Sequence, residues 1–337
     1  MRLRRGDPDG PGARRVRHGR GFRYVDHTGA PVTDPEYLDR IRTLVIPPAW
    51  REVWICPHPN GHLQAVGIDD AGRKQYLYHE QWRRDRDDEK HERVLRLAAR
   101  LPRIRGKVHD DLVSPGLGRD RVLAGALRIL DRGVFRTGGE EYAEENDSHG
   151  VATLLREHVE VRRGEVRFCF PAKSAVERLA VIRDPDLARL VTALRRGRAD
   201  TDRLFAYRAG RERHEVRAAE VNDRFRELAG NGFTVKDMRT WTATVLAAAE
   251  FAAQDPPKSR TANKRAEAQV MRAVAEQLGN TPAVARRSYV DPRVSELFEE
   301  GKTIEATLRK LATQDLENPQ IRDRIERAVL RLLRSSR

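Results

Sequence analysis

Cysteine is scarce in this chain, with Cys56 and Cys169 the only two among 337 residues. Two cysteines cannot build a disulfide framework and suit a reducing interior. Long apolar runs are missing too. No stretch approaches the roughly 18 apolar residues of a membrane span, and the basic N-terminus lacks the apolar follow-up of an export signal. A soluble, cytoplasmic protein with no membrane partner is expected. A phosphate-binding loop is absent as well. Gly301-Lys302-Thr303 resembles the end of one, but Glu296 stands where the loop needs its first glycine. ATP is therefore not implied. Metal ligands are also short. Cys56, His58 and His62 crowd one hairpin, but three candidates without a fourth make ordinary packing the better reading. Asp69-Asp70 and Asp87-Asp88-Glu89 read as solvated acidic turns. No metal and no cofactor are expected.

What the chain has in excess is positive charge. Lysine and arginine total 65 against 51 acidic residues, a net charge of +14. That balance favours a polyanionic partner, nucleic acid before acidic membrane. Most of the cations are arginine, whose planar fork suits phosphate.

The pattern along the chain predicts an α+β protein. Residues 1–21 are rich in Arg, Gly, Pro and Asp, with little to bury, and are expected to form a disordered basic arm. Residues 22–90 read as a small antiparallel β-rich domain. Runs such as Val53-Trp54-Ile55, Leu63 to Ile68 and Gln75 to Tyr78 alternate with Asn-Gly and Asp-rich turns, with a short helix near Pro35 to Thr43. Residues 91–337 read as a larger, mainly α-helical domain. Helices are expected over Val94–Leu101, Arg121–Leu130, Val151–His158, Leu187–Leu194, Ala218–Leu228, Met238–Ala253, Ala262–Leu278 and from Asn318-Pro319 onward. Val166–Phe170 reads as a strand, half of a hairpin turning at Arg163-Gly164.

The stretch from Gly279 to Tyr289 is the most heavily punctuated. Gly279 can end a helix in the left-handed region, Thr281 can cap a new one and Pro282 suits its first position. Asp291-Pro292 repeats the start signal. Tyr289 thus sits at the end of a short helix, near Arg286 and Arg287. Such a phenol can be a surface residue packing on its own helix, or it can meet a phosphate. Attack on a phosphodiester by tyrosine, with its ordinary pKa near 10, would need help. Fixed guanidinium groups must hold the non-bridging oxygens, and an acid must protonate the leaving sugar oxygen. Lysine is rare here, so Lys173 stands out. It follows Phe170-Pro171-Ala172 at the tip of a hairpin, where it can reach into a groove or be a solvated turn lysine. Arg136 precedes Thr137-Gly138-Gly139, where backbone can approach a ligand closely. Arg239 opens an apolar helix in Lys236-Asp237-Met238-Arg239-Thr240-Trp241. Each arginine alone can equally be an ordinary surface residue.

Together these residues resemble the type IB DNA topoisomerases, specifically the small bacterial and poxvirus-like branch. Arg136-Thr-Gly with Tyr142, Asn146, Gly150 and Thr153-Leu154 resembles the segment of the family's first catalytic arginine. Phe-Pro-Ala-Lys173 resembles its lysine hairpin, Lys236-Asp-Met-Arg239-Thr-Trp its second arginine segment, and Asn280-Thr-Pro through Ser-Tyr289 its nucleophile segment. Gly72-Arg73-Lys74-Gln75-Tyr76-Leu77-Tyr78 resembles the strand that reads the major groove. The chain departs from many members in carrying Asn280 where they carry histidine. The resemblance implies two domains forming a clamp around double-stranded DNA, worked by a monomer associated with the nucleoid. It implies Tyr289, Arg136, Lys173, Arg239 and Asn280 as catalytic residues. It implies Arg73, Gln75, Tyr76, Tyr78, Tyr142 and Lys236 as DNA contacts. It further implies supercoil relaxation through a 3′-phosphotyrosyl intermediate, without ATP or metal. A tyrosine recombinase is the nearest rival, but such enzymes usually carry histidine at the position of Lys236 and a helical N-terminal domain. A non-enzymatic nucleic-acid-binding protein would explain the charge without using Tyr289.

Overall fold

Short runs of β-branched and aromatic residues build a five-stranded sheet at the start of the chain. The structure is a computed structural model, and it describes residues 2–133, 135–139, 148–172, 176–196, 202–210, 212–256, 259–312, 314 and 318–335. The chain divides into two compact units, Met1–Lys90 and His91–Arg337.

In the first unit the strands are β1 (Ala13–His18), β2 (Gly21–Val25), β3 (Arg51–Ile55), β4 (Leu63–Ile68) and β5 (Lys74–Tyr78). They lie in the order β2-β1-β3-β4-β5, and every neighbouring pair is antiparallel. Helix α1 (Pro35–Thr43) starts on an Asp34 cap and covers one face, where Ile41 meets Ala13, Val53, Ile55 and Ala65. Trp54, Cys56, Leu63 and Val66 form a second cluster.

The expected disordered arm over residues 1–21 is a correction. β1 and the start of β2 lie inside it, and Ala13 is 1% exposed. Upstream of them, Arg4 bridges Gly61, and the Trp54 indole donates to the Gly10 carbonyl at 3.3 Å. Charge and glycine content hid a segment held by main-chain groups, by buried Ala13 and by the Arg15 guanidinium, which donates to the Ile46, Pro47 and Trp50 carbonyls.

The second unit is mostly helical. Its elements begin with the end of α2 (Glu80–Ala98), then α3 (Leu101–Val113) and α4 (Arg119–Gly133). A single 3₁₀ turn at Val151–Thr153 leads to β6 (Val159–Arg162), β7 (Glu165–Ala172) and β8 (Val176–Arg183), an antiparallel sheet in that order. The expected helix over Val151–His158 is therefore one turn only. Then come α5 (Pro185–Arg196), the hairpin β9 (Ala206–Ala209) and β10 (Glu212–Glu215), α6 (Ala218–Ala229), α7 (Val235–Ala252) and α8 (Arg260–Leu278). The chain closes with α9 (Pro282–Ser288), α10 (Arg293–Glu299), α11 (Glu305–Leu311) and α12 (Pro319–Arg334).

One continuous core holds this unit. Leu123, Leu127 and Leu130 of α4 share it with Leu190, Phe225, Trp241, Val274 and Val329 from four further helices and α12. Burial of each such side chain stabilises by about 1.5–3 kcal/mol. A buried charge cluster fastens α12. Arg105 of α3 pairs with Asp131 at 3.0 Å and Glu326 at 2.8 Å, and Arg322 pairs with the same two carboxylates at 2.9 Å each. Among the described residues, no helix is long and apolar enough to cross a membrane.

Candidate active site

Helix α8 ends where the punctuation predicted. Gly279 takes φ 58°, ψ 51°, and the Asn280 amide folds back onto the Ala275 carbonyl at 2.9 Å. The left-handed residue turns the chain sharply, and glycine adopts it without a Cβ penalty. Thr281 caps α9 by accepting from the Val284 amide at 3.3 Å, and Pro282 fills the first position. Tyr289 follows as the C-cap residue, half-buried, its amide bonded to the Ala285 carbonyl at 3.1 Å.

The backbone around Tyr289 is tied to α7. The Thr244 hydroxyl accepts from the Asp291 amide at 3.2 Å and shares its one proton between the Thr240 carbonyl at 3.0 Å and the Tyr289 carbonyl at 3.4 Å. The same helix carries Arg239 one turn earlier. Arg239 is 7% exposed, and its guanidinium lies 5.3 Å from the centre of the Tyr289 ring. It also donates to the Leu278 carbonyl. The start of α7 is fixed independently. Asp237 accepts from the Thr234 amide at 2.8 Å and pairs with Arg93 at 2.9 Å.

Arg136 arrives from the segment after α4. Phe135 anchors that segment by packing its ring 5.0 Å from Phe168 and 5.4 Å from Phe170 of β7. The Val151 and Ala152 amides donate to the carbonyls of Arg136 and Thr137 at 2.9 and 2.8 Å. Gly138 and Gly150 touch there. A Cβ on Gly150 would sit 2.4 Å from the Gly138 nitrogen, so the approach needs glycine at both positions. So held, Arg136 donates to the Asn280 Oδ1 and, at 3.3 Å, to the Gly279 carbonyl. The contact settles the Asn280 amide's orientation, because only oxygen can accept from a guanidinium. Its Nδ2 is then a buried donor with no partner among the described residues.

Sequence reasoning missed one residue of this cluster. Arg178, on β8, donates to the Glu276 carbonyl at 3.2 Å and to the Gln277 carbonyl. Arginine is common in this chain, and nothing local to residue 178 marks it. A signal lay in the strand after Lys173, whose outward positions Leu179 and Val181 are apolar and 68% and 55% exposed, while Arg178, just before them, faces the other way.

The electrostatics follow from this gathering. Burial lowers the Arg239 pKa, and Arg136 and Arg178 lower it further against the favourable Tyr289 phenol, leaving it at about 10. Burial, then Arg136, also pushes Arg178 down. Several cations thus crowd one place, and a bound anion would relieve their repulsion. Arg286, by contrast, turns to Glu267 at 3.0 Å rather than into the cluster.

Of the remaining candidates, Lys173 and Tyr142 lie outside the described residues. The β7–β8 pairing runs down to Ala172↔Val176, the residues that flank 173–175. Lys236 is exposed in the first turn of α7. In the first unit, Tyr76 and Tyr78 stack at 6.0 Å and are 44% and 38% exposed. Strand alternation puts Gln75 on the opposite face, where it bonds Asp69 at 2.9 Å, and Arg73 pairs with the same carboxylate at 2.9 Å.

An antiparallel sheet unit followed by a helical unit with a phenol among guanidinium groups fits the class of DNA topoisomerase I, and comparison with known proteins places the chain there. Residues 79–315 match the family model described as eukaryotic DNA topoisomerase I, catalytic core. Residues 21–69 match bacterial DNA topoisomerase IB, N-terminal domain. The chain is 32% identical over 270 residues to DNA topoisomerase 1B of Acanthamoeba polyphaga mimivirus, covering 78% of this chain and 80% of the viral one. It is 22% identical over 237 residues to DNA topoisomerase 1B of Vaccinia virus (strain Copenhagen), covering 70% and 72% respectively. DNA topoisomerase 1 beta of Arabidopsis thaliana is 26% identical over 161 residues, 47% of this chain and 16% of the plant one. The chain belongs to the type IB DNA topoisomerases.

Proposed function

We propose that this chain relaxes positive and negative supercoils in duplex DNA by reversible cleavage of one strand. The Tyr289 oxygen attacks a backbone phosphorus, the bond to the 5′-oxygen breaks, and a 3′-phosphotyrosyl link forms. The phenolic proton leaves to solvent. Lys173 protonates the departing 5′-oxygen. Arg136, Arg239 and the Asn280 Nδ2 hold the non-bridging oxygens, where negative charge grows in the transition state. The cut strand swivels about the intact one. The 5′-hydroxyl then attacks the phosphotyrosine, the tyrosine departs and the strand is whole. The phosphotyrosine conserves the energy of the broken bond, so no ATP is consumed. Guanidinium groups carry the charge stabilisation that a metal would otherwise supply. The two units close around the duplex, with Tyr76 and Tyr78 in the major groove.

One observation carries this reading. The Arg239 guanidinium lies 5.3 Å from the Tyr289 ring centre, beside an Asn280 amide whose donor has no partner among the described residues. A phosphate oxygen seated between these guanidinium groups and that donor would lie next to the phenol. The test is relaxation of supercoiled plasmid in EDTA without ATP. Wild type is expected to relax it. Tyr289→Phe keeps the ring, loses the nucleophile, and is expected to bind DNA without nicking it. Full relaxation by that variant would falsify the assignment.

A further inference from the structure

Four successive carbonyls at the end of α8 each accept from a guanidinium. Arg178 takes Glu276 and Gln277, Arg239 takes Leu278, and Arg136 takes Gly279. The last carbonyls of a helix are short of partners within it, although Glu276 also accepts from the Gly279 amide at 3.1 Å, and together they carry the negative end of the helix dipole. Three arginines from β8, α7 and the segment after α4 are thus collected on one helix terminus. Arg136 and Arg239 also touch Asn280 and Tyr289, the groups that would meet a phosphate. Arg178 is different. It makes two carbonyl contacts and none to Asn280 or Tyr289 among the contacts described.

Resting on the function proposed above, we infer that Arg178 is a positioning residue for DNA cleavage: it clamps the last turn of α8 so that Asn280 presents its amide donor to the phosphate. The two carbonyls it grips lie immediately before Leu278 and Gly279, and the left-handed turn at Gly279 aims the next residue. A planar fork can bridge two neighbouring carbonyls at fixed spacing, whereas an ammonium is a single point of attachment. Geometry and charge are therefore separable by substitution. Arg178→Lys keeps the charge and loses the bridge. Arg178→Ala loses both.

The experiment measures single-turnover cleavage of a duplex DNA for Arg178→Lys and Arg178→Ala, each alone and combined with Asn280→Ala. Duplex affinity is measured for Arg178→Lys in the Tyr289→Phe background. Misplacing one transition-state donor by a fraction of an ångström to an ångström costs about ten- to a hundredfold in rate. Both single variants are expected to slow cleavage by that amount. Arg178→Lys should leave duplex affinity and melting temperature close to those of its parent. In the Asn280→Ala background the further loss should shrink to within about twofold, because the donor being aimed is gone. A wild-type rate for Arg178→Lys would show that only charge matters and overturn the inference. Full additivity with Asn280→Ala, or a loss of affinity equal to the loss of rate, would overturn it too. Failure of the wild-type chain to relax plasmid would strike the proposed function instead, so the two ideas fail separately.

Discussion

Asn280 offers its donor without a proton to gain or lose. A histidine at the same place would strengthen as a donor when charged, with an ordinary pKa near 6.5. Wild-type cleavage is therefore expected to vary little between about pH 6 and 7. Asn280→His should cleave faster as the pH falls through the same window, and single-turnover rates on either side of it check the sign. Lys173 is proposed as the acid for the leaving oxygen. Lys173→Ala should slow cleavage by about 10²–10⁴-fold. A substrate with sulfur at the 5′-bridging position leaves without a proton, so it should restore much of that loss. Cleavage of the sulfur substrate as slow as that of the oxygen substrate would remove Lys173 from the role. At this scale the sequence was informative where punctuation was dense. Tyr289, Asn280 and Arg136 are flanked by glycine, proline and capping residues that announce a special backbone. Arg178 carries no such mark, because its role depends on a helix end about a hundred positions downstream.

Elements were legible where their periodicity was strong and hidden where tertiary contacts decide. The helices over 187–194, 218–228 and 262–278 lie inside α5, α6 and α8. The apolar run after Gly150 reads as a helix by pattern, but the Gly138–Gly150 contact and the pull of β6 allow only one turn. Helix α3 was missed because Pro102 and its charged residues obscure a stripe of Leu101, Ile104, Val108 and Leu112. The buried cluster that fastens α12 was equally invisible, since its partners are about 190 to 220 positions apart in sequence. Removing one member should cost more than an ordinary surface pair. Asp131→Ala leaves Arg105 and Arg322 short of a buried counter-charge, and a loss of about 3–5 kcal/mol is expected by thermal or denaturant unfolding. Burial pushes the Asp131 carboxyl up, but Arg105 and Arg322 outweigh it and hold it well below the ordinary carboxylate range. A depressed carboxylate contributes stability above its unfolded pKa and loses it as the pH falls. Wild-type stability should therefore decline below about pH 4, and Asp131→Ala should flatten that decline.

For the whole molecule, the net charge of +14 and the guanidinium cluster set the expected response to salt. Neutralising several phosphates releases their counterions, so duplex affinity should fall by about three decades or more between 50 and 200 mM salt. A shallow slope would argue against contact with the DNA backbone at many points. The change of pattern from hairpins to helices that is visible in the sequence comes at the start of α2, and the division between Lys90 and His91 falls within that helix. What the pattern did not reveal was order in the first twenty residues, because main-chain bonding leaves no apolar signature. The small Thr244 hydroxyl between Tyr289 and Asp291 has a larger consequence. It ties Tyr289, the proposed nucleophile, to the helix that also bears Arg239, so under that proposal a captured DNA end would stay docked in its workshop while the broken partner spins. The length of the pause would then be governed by torque wound into the rope, with tightly wound plasmids shedding more turns per event than slack ones.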